Sequence, residues 1–181
     1  MKKLFVPLLL VFTLLLGGCA GKIEARFRAF SEELRARGDL DVTAQVRAES
    51  DESSCSFTLR CTEDGCGGCT VEVLEPELIR GVRARMRADG TKLLYDSVSV
   101  DTGDDGGTGL SPMGALPLLT RSLRDGALDS AWKEDGNCAV RLVPEDGIGV
   151  TVLFDEEMRP VHAEIDRGGK TVLFLDVTEF A

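Results

Sequence analysis

Positive charge is in short supply in this chain: 21 Lys and Arg stand against 31 Asp and Glu, a formal net charge of −10. Such a balance argues against a nucleic-acid partner, whose phosphates the surface would repel. It argues equally against a polybasic grip on anionic lipid headgroups. Histidine is nearly missing. His162 is the only one, no serine or cysteine can be paired with it from the sequence, and a catalytic dyad therefore has no support. Its alternation with Val161 and Ala163 predicts a solvent-facing ring beside Glu164. There is no internal repeat at a fixed period and no linker that divides the chain. After residue 16 there is also no apolar run of the roughly 20 residues needed to cross a bilayer.

What is present begins at the N-terminus. Met1-Lys2-Lys3 is followed by an apolar run from Leu4 to Leu16, broken only by Pro7 and Thr13, and then by Leu16-Gly17-Gly18-Cys19. The run has the length of a signal-peptide core. Its end resembles a lipobox, the Leu-small-small-Cys motif of bacterial lipoprotein precursors, in which small residues let the backbone enter the signal peptidase. The resemblance implies removal of residues 1–18 and lipid on the thiol and new amine of Cys19, with two or three chains giving lasting anchorage. Loss of Lys2 and Lys3 takes the formal charge from −10 to −12. The expected location is the extracytoplasmic face of the cell membrane. Ala20 is not an inner-membrane retention aspartate, so a host with two membranes could sort the protein to the outer one.

Ile23, Phe27, Phe30 and Leu34 recur at helical spacing before Gly38, so residues 19–39 read as the anchor and an amphipathic helix. The helix either packs on the domain or lies on the membrane, and Glu24, Glu32 and Glu33 count against the second. From residue 40 to 181 the pattern is one antiparallel β domain. Leu40, Val42, Ala44, Val46 and Ala48 alternate with polar residues, as do Cys55, Phe57, Leu59 and Cys61, then Cys69, Val71 and Val73. Pro76 bars a central strand across 75–79. Val82, Ala84 and Met86 alternate with Arg83, Arg85 and Arg87, and a further strand runs from Leu93 to Val100. Ser111-Pro112 opens a helical insert near 111–125, with Ser111 as cap and Pro112 in the first turn. Pro117 is expected to kink that helix or delay its start. Strand patterns resume near 131, 139, 150, 161 and 172, with turns at Asp135-Gly136 and Asp146-Gly147.

This order of elements resembles the LolA/LolB-like carrier fold, an α+β architecture in which a curved antiparallel sheet forms a half-open barrel lidded by helices. Val71–Gly81 and Phe154–Ile165 look most like small lipoproteins of this type, including GerS-like proteins of spore-forming bacteria. The likeness extends from Leu40 to Phe180 and brings no catalytic motif or cofactor. It implies a non-catalytic scaffold that holds an apolar ligand, such as a lipid or acyl chain, or a partner protein of the cell envelope. Val42, Val46, Phe57, Leu59, Val71, Val82 and Met86 would line the cavity, unless they are ordinary core.

Besides Cys19 there are Cys55, Cys61, Cys66, Cys69 and Cys138, an odd number for an exported domain. Cys66-Gly-Gly-Cys69 has the spacing of a redox motif, yet Thr70 to Val73 reads as a strand, not the helix whose N-terminus lowers a thiol pKa. Cys61-x4-Cys66-x2-Cys69 matches the first three ligands of plant-type ferredoxins. Cys138 is too distant for the fourth, and a chain exported unfolded would carry no cluster. A zinc site has equally little support. Disulfides among Cys55, Cys61, Cys66 and Cys69, or buried thiols, are the plainer readings, with Cys61 opposite Cys69 if the turn centres on Gly65. A thiol-redox or metal module on Cys61, Cys66 and Cys69 is the alternative function. Asp101, Asp104 and Asp105 lack calcium-loop spacing, and Arg83, Arg85 and Arg87 form the one concentrated basic stripe in the sequence.

Overall fold

A computed structural model describes residues 18–50, 53–103 and 110–181, the side chains of 19 and 20 excepted. The expected signal peptide, the thiol of Cys19, and Asp104 and Asp105 lie outside the described residues. Helix α1 (Gly18–Ala36) is followed by β1 (Asp39–Glu49), β2 (Ser54–Asp64), β3 (Cys69–Glu75), a 3-10 turn (Glu77–Ile79), β4 (Arg83–Arg87), β5 (Gly90–Tyr95) and β6 (Val98–Gly103). Helix α2 (Pro112–Asp125) then leads to β7 (Ala127–Glu134), β8 (Asn137–Glu145), β9 (Ile148–Phe154), β10 (Pro160–Arg167) and β11 (Lys170–Phe180).

Among the described residues eleven strands join one antiparallel sheet in the order β6-β5-β4-β3-β2-β1-β11-β10-β9-β8-β7, with β6 and β7 as its edges. The two halves of the chain are each a meander, and β1 paired with β11 joins them. Both helices lie on one face. Ile23, Phe27, Ser31 and Leu34 of α1 are buried, with Phe30 half-buried against the same core. The apolar stripe of α1 is therefore spent on β7, β8 and α2, and the membrane-lying reading of this helix is corrected. Each such side chain, fully buried, contributes about 1.5–3 kcal/mol. Phe154 at the C-terminal end of β9 meets Phe27 at 6.0 Å and Phe30 at 5.3 Å, both edge-on, a geometry that favours the ring quadrupoles.

Three local expectations change. The segment 93–100 is two strands, because Asp96 takes a left-handed φ of 53° and closes a tight hairpin with Ser97. Asp tolerates that conformation and needs no glycine to announce it. Pro117 does not delay α2, which runs unbroken from Pro112 to Asp125. Ser111 caps it, its hydroxyl accepting from Gly114 N. Burial of Ala115, Leu116, Leu118, Leu119 and Leu123 holds the helix across the one backbone donor that proline lacks. The β2–β3 hairpin is centred on residue 66 instead of 65: Cys61 stands opposite Val71 and Cys69 opposite Glu63. Asp64 sets this register, since its carboxylate accepts from both Cys66 N and Gly68 N at 3.0 Å.

Candidate functional site: the helix-bearing face and the cleft at its end

Cross-strand pairing defines the inner face. Val42, Cys61, Val71, Ala84, Leu93 and Val100 oppose one another in succession from β1 to β6, so they point to the same side. Helix α2 packs over β1, β2, β3, β8 and β11. Under it Val42, Val46, Leu59 and Val71 are fully buried members of the core. Phe57, Val82 and Met86 are half-buried at its margin. The main helix packing stops at β3. Beyond it the same face carries Leu93 at 37%, Tyr95 at 53%, Val98 at 61% and Val100 at 52% exposure. Four neighbouring apolar side chains are thus left in water on one side of a β-hairpin. From sequence alone Leu93 and Val100 read as one strand, and neither is among the residues expected to line a cavity.

The five described cysteines are free thiols: Cys55 and Cys66 exposed, Cys69 half-buried, Cys61 and Cys138 buried. Only Cys61 and Cys69, diagonal neighbours across the hairpin, are joined, by a thiol hydrogen bond. Donation to Cys69, together with burial, pushes the Cys61 thiol far up. Acceptance of that hydrogen bond lowers Cys69, against burial and the charges of Glu63 and Asp64. Cys66 sits on the loop, and Cys69 opens a strand with no helix beginning there, so the dipole that activates a CxxC thiol is missing. Among the described residues no group of three or more His, Cys, Asp or Glu is placed to hold a metal ion.

His162 faces away from the helices. Its Nδ1 is 2.7 Å from Asp176 Oδ1 and its Nε2 is 3.8 Å from Glu164 Oε1, with no serine or cysteine in the pairing. The Arg83, Arg85 and Arg87 stripe is exposed, and Arg87 lies 3.6 Å from Asp64. Asp101 belongs to β6 opposite Lys92.

A second concentration of arginine has no counterpart in the sequence reading. The C-terminal ends of α1 and α2 and the β2–β3 loop enclose a cleft of about 440 Å³ lined by Arg35, Arg37, Arg121, Arg124 and Cys69, with Glu63 and Asp125. Arg124 pairs with Glu63 and donates from Nε to Leu34 O at 3.3 Å. Thr120 Oγ1 donates to the other Glu63 oxygen at 2.6 Å. The loop closes onto the α1–β1 turn through two glycines. Gly65 has φ +68°, and a Cβ there would lie 2.9 Å from Gly38 O, so no other residue fits without a shift. Arg35 ends α1, Arg37 lies in the turn after it, and Arg121 and Arg124 belong to α2, so no local spacing reveals them.

The sequence matches no family model and no curated protein. Solved structures do share the architecture. One is a chain in the complex of the CwlD amidase with the GerS lipoprotein of Clostridioides difficile, at 14% identity over 87% of this chain and 94% of that one, TM-score 0.50. An uncharacterized conserved protein of Thermus thermophilus is also 14% identical, over 87% and 86%, TM-score 0.50. A LolA superfamily protein of Nitrosomonas europaea is 13% identical over 78% and 84%, TM-score 0.46. At these identities the likeness is one of fold. The class so defined is a curved, open antiparallel sheet with two helices on one face, the architecture expected from the order of elements.

Proposed function

We propose that this chain is a lipid-anchored, non-catalytic protein of the bacterial cell envelope that holds an apolar ligand, such as an acyl chain, on the uncovered inner face of β5 and β6. The observation that carries the reading is the row Leu93, Tyr95, Val98 and Val100, exposed on the face whose remainder is core. Contiguous apolar surface of this kind marks a ligand groove or a protein contact. Half-buried Phe57, Val82 and Met86 stand where a ligand would pass from this face toward the core. Among the described residues no helix is long and apolar enough to cross a membrane, and the Leu16-Gly17-Gly18-Cys19 motif supplies the anchor.

Native mass spectrometry of the full chain, released from detergent, tests the ligand. A bound lipid, or uptake of a fluorescent fatty acid that is lost in Leu93→Ser/Val100→Ser, supports it; neither would reject it. The anchor has its own test. Cys19→Ala should leave a folded chain that labelled palmitate no longer modifies, and continued modification of that variant would overturn the assignment.

A partner protein is the second reading. It is favoured by the free edge of β6 beside the same apolar row, since an open edge invites strand addition. The GerS lipoprotein named above is in complex with an amidase. A chain that takes up no lipid but captures one envelope protein through β6 would select this reading.

A further inference from the structure

We propose that the arginine cleft between the ends of α1 and α2 is a binding site for a phosphoryl group, carried by a soluble phosphate monoester or by a lipid headgroup. The site is independent of the apolar face, and only the choice between the two sources rests on the Cys19 anchor proposed above. On a chain of net charge −10, four arginines meet two carboxylates in one cleft. Like charges gathered against the trend of the whole surface need a reason.

Part of the reason is structural. Arg35 and Arg124 lie in the last turns of their helices, where cations answer the partial negative charge of the C-terminus. Arg35 reaches Asp125 at 3.2 Å, and Arg124 holds Glu63. These contacts use up both carboxylates of the cleft. Arg37 and Arg121 are left over. Arg37 makes no ion pair among the described residues, and Arg121 meets only Glu145, outside the cleft lining, at 3.8 Å. Arg124 Nη2 is buried without an acceptor, a costly condition that a nearby anion offsets. Guanidinium groups from opposite walls suit the oxygens of a phosphoryl group, which accept paired N–H donors. The surplus of charge suits a dianion.

Geometry also bears on the source. Along α1, Gly18 to Ala36 spans about 27 Å at 1.5 Å per residue. A chain tethered at Cys19 therefore carries the cleft at the far end of the helix from its anchor, which favours a phosphate that comes to the protein over a headgroup in the anchoring leaflet.

The test uses the full chain in non-ionic detergent, titrated with glycerol phosphate, inorganic phosphate and a water-soluble short-chain phosphatidic acid, with chloride as control. Binding of glycerol phosphate with a Kd below about 1 mM, weakened about tenfold or more in Arg37→Ala/Arg121→Ala, is the expected result. Both substitutions are at the cleft wall and spare the Arg124–Glu63 pair, so the melting temperature should not change. Alkylation of Cys69, followed on its own peptide, should slow when the ester is bound, because that thiol lines the cleft. Equal binding of the short-chain lipid and glycerol phosphate assigns a soluble source; binding of the lipid alone assigns a headgroup. Binding of none of the three, or binding unaffected by the double substitution with Cys69 unprotected, overturns the proposal.

Discussion

The two ends of this sheet obey the same alternation and meet different fates. From β8 through β11 to β3, most apolar side chains on the inner face are buried beneath α1 and α2, while those of edge strand β7 are half-buried. On β5 and β6 the same face has the same apolar register and its large side chains stay exposed. Alternation in a sequence reports which side of a strand is apolar. It carries no information about whether anything lies on that side. In the covered region the apolar residues serve stability, and in the uncovered region, where much of their surface is in water, burial gives them less of that use. Function is a further reason to keep them.

The comparison breaks most directly at Phe154. It is fully buried, and its edge contacts tie β9 to α1. Phe154→Ala should cost about 3–5 kcal/mol, the usual range for emptying a packed aromatic site. Chemical denaturation is the measurement, with the loss visible as a lower midpoint at unchanged slope. A loss comparable to that of an exposed residue would mean that α1 does not close this half of the sheet.

Gly149 tests the outer face of the same half. Arg141 on β8 lies across it to reach Asp166 on β10 at 2.8 Å, and Asp166 is nearly buried. A methyl group at 149 would overlap both the guanidinium and the carboxylate. The flexible ends can move aside, but only by parting the pair and leaving Asp166 poorly solvated. Gly149→Ala is therefore expected to destabilise by about 2 kcal/mol, below the range for a deeply buried pair because Arg141 is partly exposed. In Gly149→Ala/Asp166→Asn much of that penalty should disappear, since no buried charge is left unpaired.

Much of this architecture is legible in the sequence, for identifiable reasons. Strands β1 to β3 follow from unbroken two-residue periods, α1 from the spacing of Ile23, Phe27 and Leu34, and the start of α2 from the Ser111 cap and Pro112. What was not legible depends on contacts distant in the chain or on weak turn chemistry. The β5–β6 hairpin turns at Asp96-Ser97 with neither Gly nor Pro to mark it. The register at Cys61 was misplaced because it depends on the Asp64 carboxylate folding back onto its own loop. Arg35, Arg37, Arg121 and Arg124 converge only when α1 and α2 pack. The stripe at Arg83, Arg85 and Arg87, conspicuous in the sequence, remains spread along an exposed strand.

The β9–β10 turn adds a pH dependence to the covered half. Asp155 accepts from Glu157 N, Arg159 N and Arg159 Nε at 2.8–2.9 Å. Burial works to raise its pKa, but these hydrogen bonds outweigh it and hold the carboxyl below its ordinary 3.8. A depressed carboxylate pKa adds stability that is present above the unfolded value and lost as pH falls through the folded one. Asp155→Asn should therefore cost about 1 kcal/mol at pH 7. The gap between the two proteins should close as the pH falls below about 4. A gap that persists at pH 2 would assign the effect to amide geometry instead of charge.

The smallest effect on stability is expected where the apolar row is bare. Val100 is about half exposed on edge strand β6, opposite Leu93. Removing apolar surface that is already in water forfeits little burial, so Val100→Ser should change stability by less than about 0.5 kcal/mol. Its β-propensity cost on an edge strand is of the same small size. The informative quantity is the ratio of its effects on denaturation midpoint and on fatty-acid uptake. If the bare half exists to hold a ligand, uptake falls while the midpoint stays. If the midpoint falls with it, Val100 is structural, and the contrast between the two halves of the sheet is one of degree.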